Sequence, residues 1–127
     1  DQRAQRAGAA IKKATAAELR HEAFDLVLCD VPCSGSGAWR RVIDSKWSLT
    51  PQKLDDLVAV QRGIVQSARA YLRPGGRFAY MTCSLFSLEN SAQAGWITDT
   101  LAMPCIAQRQ MTPLDGGDGF FVSTFQG

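Results

Sequence analysis

The chain has 127 residues, 46% of them hydrophobic, and 14 Lys and Arg against 12 Asp and Glu leave a formal net charge of +2. That length and apolar content suit a single domain over residues 1–127, and the near balance of charge excludes the strongly basic composition that marks a nucleic-acid-binding domain by itself. No run of eighteen apolar residues and no charged, apolar and small-residue leader occurs, so the expectation is a soluble, cytoplasmic protein without a membrane span.

In chain order, DQRAQRAG at residues 1–8 reads as helix, AAIKK at 9–13 as a short strand, and TAAELRHEA has no clear preference. FDLVLCD at 24–30 is apolar and rich in strand formers, and it ends in a Pro/Ser/Gly cluster; this predicts a strand buried on both faces of a parallel sheet. A loop is expected from Val31 to about Thr50. Thr50 then offers a helix cap with Pro51 at the first helical position, and Leu54, Leu57, Gln61, Ile64, Ala68 and Leu72 recur at three- and four-residue spacing. The helix should stop at Pro74-Gly75-Gly76. RFAYMTCS at 77–84 is the next strand, and Ser87 is a candidate cap for a helix to about Leu101. CIAQRQM at 105–111 and GFFVSTF at 119–125, joined by the turn chemistry of TPLDGGD, predict an antiparallel hairpin at one sheet edge. Strand, helix, strand and helix in this order give two neighbouring parallel strands by the right-handed crossover rule.

Ligands of open α/β sheets bind beyond the carboxyl ends of the strands. Asp30, Cys33 and Cys83 all fall there, on adjacent strands, and are expected to converge. Four cysteines at 29, 33, 83 and 105 are too few for a disulfide framework and lack the C-x-x-C pairs of a zinc site, so no metal is expected. Cys29 within its strand and Cys105 at the hairpin read as small core hydrophobes. For Cys33 and Cys83, geometry alone leaves a packing role and a chemical role open. Beyond the first cysteine loop, Arg40, Arg41 and Lys46, with Trp39 and Trp47, could hold phosphates and a stacked base; packing of Trp47 against the following helix is the competing reading. His21, the only histidine, precedes the first strand and lies at the wrong end of it for a role at this rim.

DVPCSGSGAWRR, KWSLTP, LRPGGRFAYMTCSLFSLEN and DGGDGFF together resemble the RsmB/Sun-type (Nop2/Sun-like) family of RNA cytosine-5 methyltransferases, from about Phe24 to the C-terminus. The resemblance implies the carboxyl-terminal half of a Rossmann-like class I methyltransferase sheet that uses S-adenosylmethionine and acts on RNA, with rRNA the expected substrate. It implies Cys83 as the nucleophile that adds to carbon-6 of cytosine and Cys33 as the thiol of the second half-reaction. Asp30 would stand near both base and cofactor, and Pro32 beside the cofactor. Ile43 replaces a proline usual in the family, leaving that loop's path open.

The family's glycine-rich cofactor turn with its lysine, and the acid that ends its second strand, have no counterpart in this sequence. The expectation is therefore a partial catalytic domain whose amino-terminal part lies elsewhere in the same protein, and which alone binds cofactor poorly and is inactive. A non-catalytic RNA-binding module of the same fold is the alternative. A thiol redox or hydrolytic enzyme is disfavoured by the C-x-x-x-C spacing at 29 and 33 and by the position of His21.

Overall fold

The computed structural model describes residues 6–8 and 10–127. The helix expected over residues 1–8 falls mostly outside them. Ala10–Lys13 form no strand; the first regular element is a 3-10 turn at Ala16–Glu18, closed by a capping box with Thr15. Strand β1 spans Phe24–Asp30 and pairs in parallel with β2, Leu72–Thr82, in a register from Leu26↔Arg77 to Asp30↔Met81.

Between them, helix α1 occupies Ile43–Trp47 inside the expected loop, and helix α2 runs from Pro51 to Arg69. The Lys53 N–H donates to Thr50 Oγ1 at 3.2 Å, the cap that the Thr-Pro pair foretells. The helix ends earlier than its apolar spacing suggests. The Tyr71 carbonyl accepts the N–H groups of Ala23 and Phe24, so Leu72 already belongs to β2 rather than to the last helical turn. The Pro74-Gly75-Gly76 stretch lies within β2 as an irregularity in register, with Gly75 at φ +74°.

Helix α3 spans Ser91–Leu101, with Asn90 at its cap position, three residues later than a Ser87 cap would place it. Ser87 instead contributes its carbonyl, which accepts the Ala92 N–H and closes the turn that carries Glu89 and Asn90. Strands β3, Cys105–Met111, and β4, Phe120–Gln126, form the expected antiparallel hairpin. β4 inserts between β2 and β3, so the sheet order is β1-β2-β4-β3.

Strand alternation sends Val27, Cys29, Phe78, Tyr80, Phe121 and Phe125 to one face of this sheet, where they pack with Val65 of α2 and Ala94 and Ile97 of α3. The opposite face is bare: Leu26 is 57% and Leu28 55% exposed. The expectation that β1 is buried on both faces is thus corrected. Both long helices cross on the same side, and no described element covers the other. No helix among the described residues is long and apolar enough to cross a membrane.

Candidate active site

β1 and β2 end side by side, and the first residue beyond β1 is still held by its neighbour, the Val31 N–H donating to the Met81 carbonyl at 3.2 Å. Because the strands run parallel, the two cysteine loops leave the sheet at the same rim. Cys33 Sγ and Cys83 Sγ stand 3.2 Å apart, both half-buried, though fifty positions separate them in the chain. Burial, then the hydrogen bond to Cys83, push the Cys33 thiol above its ordinary value. Cys33 therefore keeps its proton near neutrality, and either sulfur of the pair can act as the hydrogen-bond donor. Asp30 ends β1 at this rim with an exposed carboxylate, and Pro32 is exposed beside it.

A polar frame beneath the thiols fixes both loops. Glu89 Oε1 accepts the Ser34 N–H at 2.8 Å and Gln61 Nε2 at 3.0 Å, while Oε2 accepts Ser34 Oγ at 2.6 Å and Ser84 Oγ at 2.5 Å. Asn90 brackets Cys83: its Oδ1 accepts Thr82 Oγ1 at 2.6 Å and its Nδ2 donates to the Ser84 carbonyl at 2.9 Å. Backbone joins the same knot. The Gly37 N–H donates to the Cys83 carbonyl at 3.0 Å, and the Gly119 N–H to the Gly37 carbonyl at 2.9 Å. A Cβ on Gly37 would sit 2.8 Å from Gly119 Cα, which explains why both positions are glycine. The glycine run before β4 has the composition of a turn, and nothing local to it signals this approach. Glu89 and Asn90 carry no local mark of a role at the rim either. One local signal was present: Gln61 interrupts the apolar stripe of α2 and must bury its amide against a partner.

The basic residues divide. Arg41 does not face open solvent with a free fork, because its Nε and Nη2 both engage the Asp118 carboxylate before β4. Arg40 and Lys46 remain exposed, Lys46 lying 5.4 Å over the Trp47 ring. Trp47 is 77% exposed, so packing against α2 is not its role. Trp39 instead packs edge-on against Phe86 at 5.6 Å. A groove of about 320 Å³ opens from Cys33 and Ser34 along Ser45, Ser48 and Lys53. Cys29 and Cys105 pack with the core, and exposed His21 lies edge-on to Tyr71 at the other end of the strands.

Comparison with known proteins identifies the family. The family description "16S rRNA methyltransferase RsmB/F" matches residues 5–103. The chain belongs to the RsmB/F family. Ribosomal RNA small subunit methyltransferase B of Proteus mirabilis is 38% identical over 100 residues, covering 77% of this chain and 24% of that protein. Ribosomal RNA small subunit methyltransferase F of Salmonella paratyphi B is 42% identical over 81 residues, 64% of this chain and 17% of that one. The chain thus spans about a quarter or less of the curated relatives it matches. Among solved structures, PH0851 superposes with a TM-score of 0.80 at 26% identity over 84% of this chain and 27% of its own. NSun6 from Pyrococcus horikoshii with SFG gives 0.67 at 23% identity, over 78% and 29%, a likeness of fold.

An RsmB/F methyltransferase implies a site for S-adenosylmethionine, and the residues present fit one wall of it. Asp30 and Pro32 offer an exposed carboxylate and an exposed apolar ring at the carboxyl end of β1, the end from which the Cys33 loop leaves. The glycines near the rim are already committed: Gly37 and Gly119 to each other and to Cys83. None of the described loops is a free glycine-rich turn that could cradle the rest of the ligand.

Proposed function

We propose that the complete protein is an S-adenosylmethionine-dependent RNA cytosine-5 methyltransferase of the bacterial cytoplasm, with rRNA as substrate, and that this segment supplies its thiol chemistry. The observation that carries the reading is the 3.2 Å contact between the two sulfurs at the shared strand rim.

Carbon-5 of cytosine is too weak a nucleophile to accept a methyl group unaided. Addition of the Cys83 thiolate to carbon-6 forms an S–C bond and pushes the ring's π electrons toward carbon-5 and nitrogen-3. Asp30, at the rim, would orient the ring by accepting from the exocyclic amine, and a proton shared between its carboxyl group and nitrogen-3 would meet the charge that develops there. The bound S-adenosylmethionine supplies the methyl group. Cys33, its own proton having first passed to water, then takes the carbon-5 proton as a thiolate, the C–H electrons restore the double bond, and the S–C bond breaks to return Cys83 as thiolate.

The coupling of the thiols suits this order. The Cys33 thiol is raised in part by its hydrogen bond to Cys83 and by repulsion from charge there. Once Cys83 is bonded to carbon-6, that charge is gone. Cys33 then loses its proton more readily, at the stage where a base is required.

The target base must be extruded or unpaired to reach these sulfurs. Arg40 and Lys46, both exposed, would hold flanking phosphates, and exposed Trp47 would offer a stacking surface. Arg41 is assigned to bracing the first loop against Asp118 rather than to RNA. The bare face of β1, with Leu26 and Leu28, is assigned to the amino-terminal part of the same protein, which would also complete the cofactor site. Activity belongs to the complete protein and not to this segment alone.

The test uses the complete enzyme with its RNA on a denaturing gel. Cys33→Ala should accumulate a covalent RNA adduct, because addition proceeds and release stalls, and Cys83→Ala should form none. The reverse pattern would assign the nucleophile to Cys33 and overturn this division of labour.

A further inference from the structure

We infer that Glu89 is a positioning residue that sets the separation of the two sulfurs by tying both cysteine loops to one carboxylate. The inference deepens the proposed thiol chemistry and rests on it for its kinetic consequence, though not for its geometric one. Glu89 is 0% exposed and has no ion-pair partner among the described residues. An unpaired buried carboxylate is costly, and an apolar side chain of similar volume would often serve a core better. What offsets the cost is the identity of its donors.

Two donors are the N–H and Oγ of Ser34, which directly follows Cys33, and a third is Oγ of Ser84, which directly follows Cys83. The fourth, Gln61 Nε2, comes from the middle of α2 and also donates to the Pro32 carbonyl, on the other side of Cys33. One carboxylate thus joins two loops that leave different strands, and α2 backs the junction. The Tyr80 hydroxyl, donating to the Glu89 carbonyl at 2.6 Å and to Gln61 Oε1 at 3.1 Å, anchors it to β2. A site whose reacting groups are held from beneath by packed polar neighbours keeps its geometry; one left to its loops does not.

The experiment measures sulfur separation and turnover independently in the complete enzyme. Diamide converts the Cys33 and Cys83 thiols to a disulfide and is itself reduced to the hydrazine, so the rate of pairing, followed by mass spectrometry, reports proximity without RNA. In Glu89→Ala that rate should fall at least about tenfold, and kcat for RNA methylation about 100-fold with KM nearly unchanged, the usual penalty for displacement of about 1 Å. Glu89→Gln should restore both to within about threefold: its carbonyl can still accept from Ser34 N–H and Gln61, and the two serine hydroxyls can turn to accept from its amide.

Should Glu89→Ala fail to fold, Ser34→Ala and Ser84→Ala, each removing a tie to the carboxylate, carry the test and should each slow pairing. Normal pairing and turnover with a lowered melting temperature alone would overturn the inference, as would failure of Glu89→Gln to rescue. Adduct formation by Cys83→Ala would instead overturn the nucleophile assignment, leaving the pairing result standing.

Discussion

Gly37→Ala is the most severe small change available to this site. The added Cβ would lie 2.7 Å from the Gly119 carbonyl carbon and 2.8 Å from its Cα, with the carbonyl oxygen closer still. Ordinary contact is about 3.5 Å between carbons and about 3.3 Å from carbon to oxygen, so the two backbones must part by more than about 1 Å. No flexible side chain is there to yield. The Gly119 N–H bond to Gly37 and the Gly37 N–H bond to Cys83 cannot both survive that shift. At about 1 kcal/mol each, with buried donors left unpaired, the loss should come to about 2–4 kcal/mol.

Because one of those bonds ends on Cys83 itself, the nucleophile moves too, and single-turnover adduct formation should slow by about 100-fold. Thermal unfolding of the complete enzyme and a gel assay for adduct read the two effects. Gly63→Ala is the control: nothing lies within 4 Å of its Cβ, and in the interior of α2 the change should be neutral or stabilise by up to about 1 kcal/mol. A Gly37→Ala enzyme with unchanged melting temperature and full activity would refute the argument that this backbone approach sets the site.

Salt dependence of RNA binding should separate the three basic residues: Arg40→Ala and Lys46→Ala should each lower the slope of log K against log salt by about one, while Arg41→Ala, whose charge is already met by Asp118, should barely change it. Leu28→Asp should destabilise the complete enzyme by about 2 kcal/mol or more if the bare face of β1 is covered there, as assigned, and a change within about 0.5 kcal/mol in chemical denaturation would show that it remains in water. Burial raises the Cys29 thiol from 9.0 to about 11. The native state therefore holds a proton that the unfolded chain has lost, and stability that is full below pH 9 drains away as pH rises toward 11. Cys29→Ala should flatten that alkaline slope, and an unaltered slope would remove Cys29 as its cause.

Much of this molecule was legible in one dimension. The strand at FDLVLCD, the Thr50-Pro51 helix start and the hairpin follow from local preferences and periodicity, which act over a few residues. The parallel pairing of β1 and β2 follows from a chirality rule, and with it the meeting of Cys33 and Cys83 at one rim. Local pattern also misled: the unbroken apolar run of β1 reads as burial on both sides, because hydrophobicity records that a face is to be covered without saying by which segment. Leu72 keeps helical spacing yet joins β2, since backbone pairing with β1 outweighs periodicity at a helix end.

Only the tertiary structure decided how the rim is built. Ser34 meets Glu89 across 55 positions and Arg41 meets Asp118 across 77, and no spacing rule links residues so distant. Gly119 looks like a turn glycine until the backbone of Gly37 is laid against it. The sequence determined which chemical groups arrive at the end of the sheet, because strand direction is encoded locally. Their separations, and the buried carboxylate that holds them, depend on packing among loops that come together only when the sheet has formed.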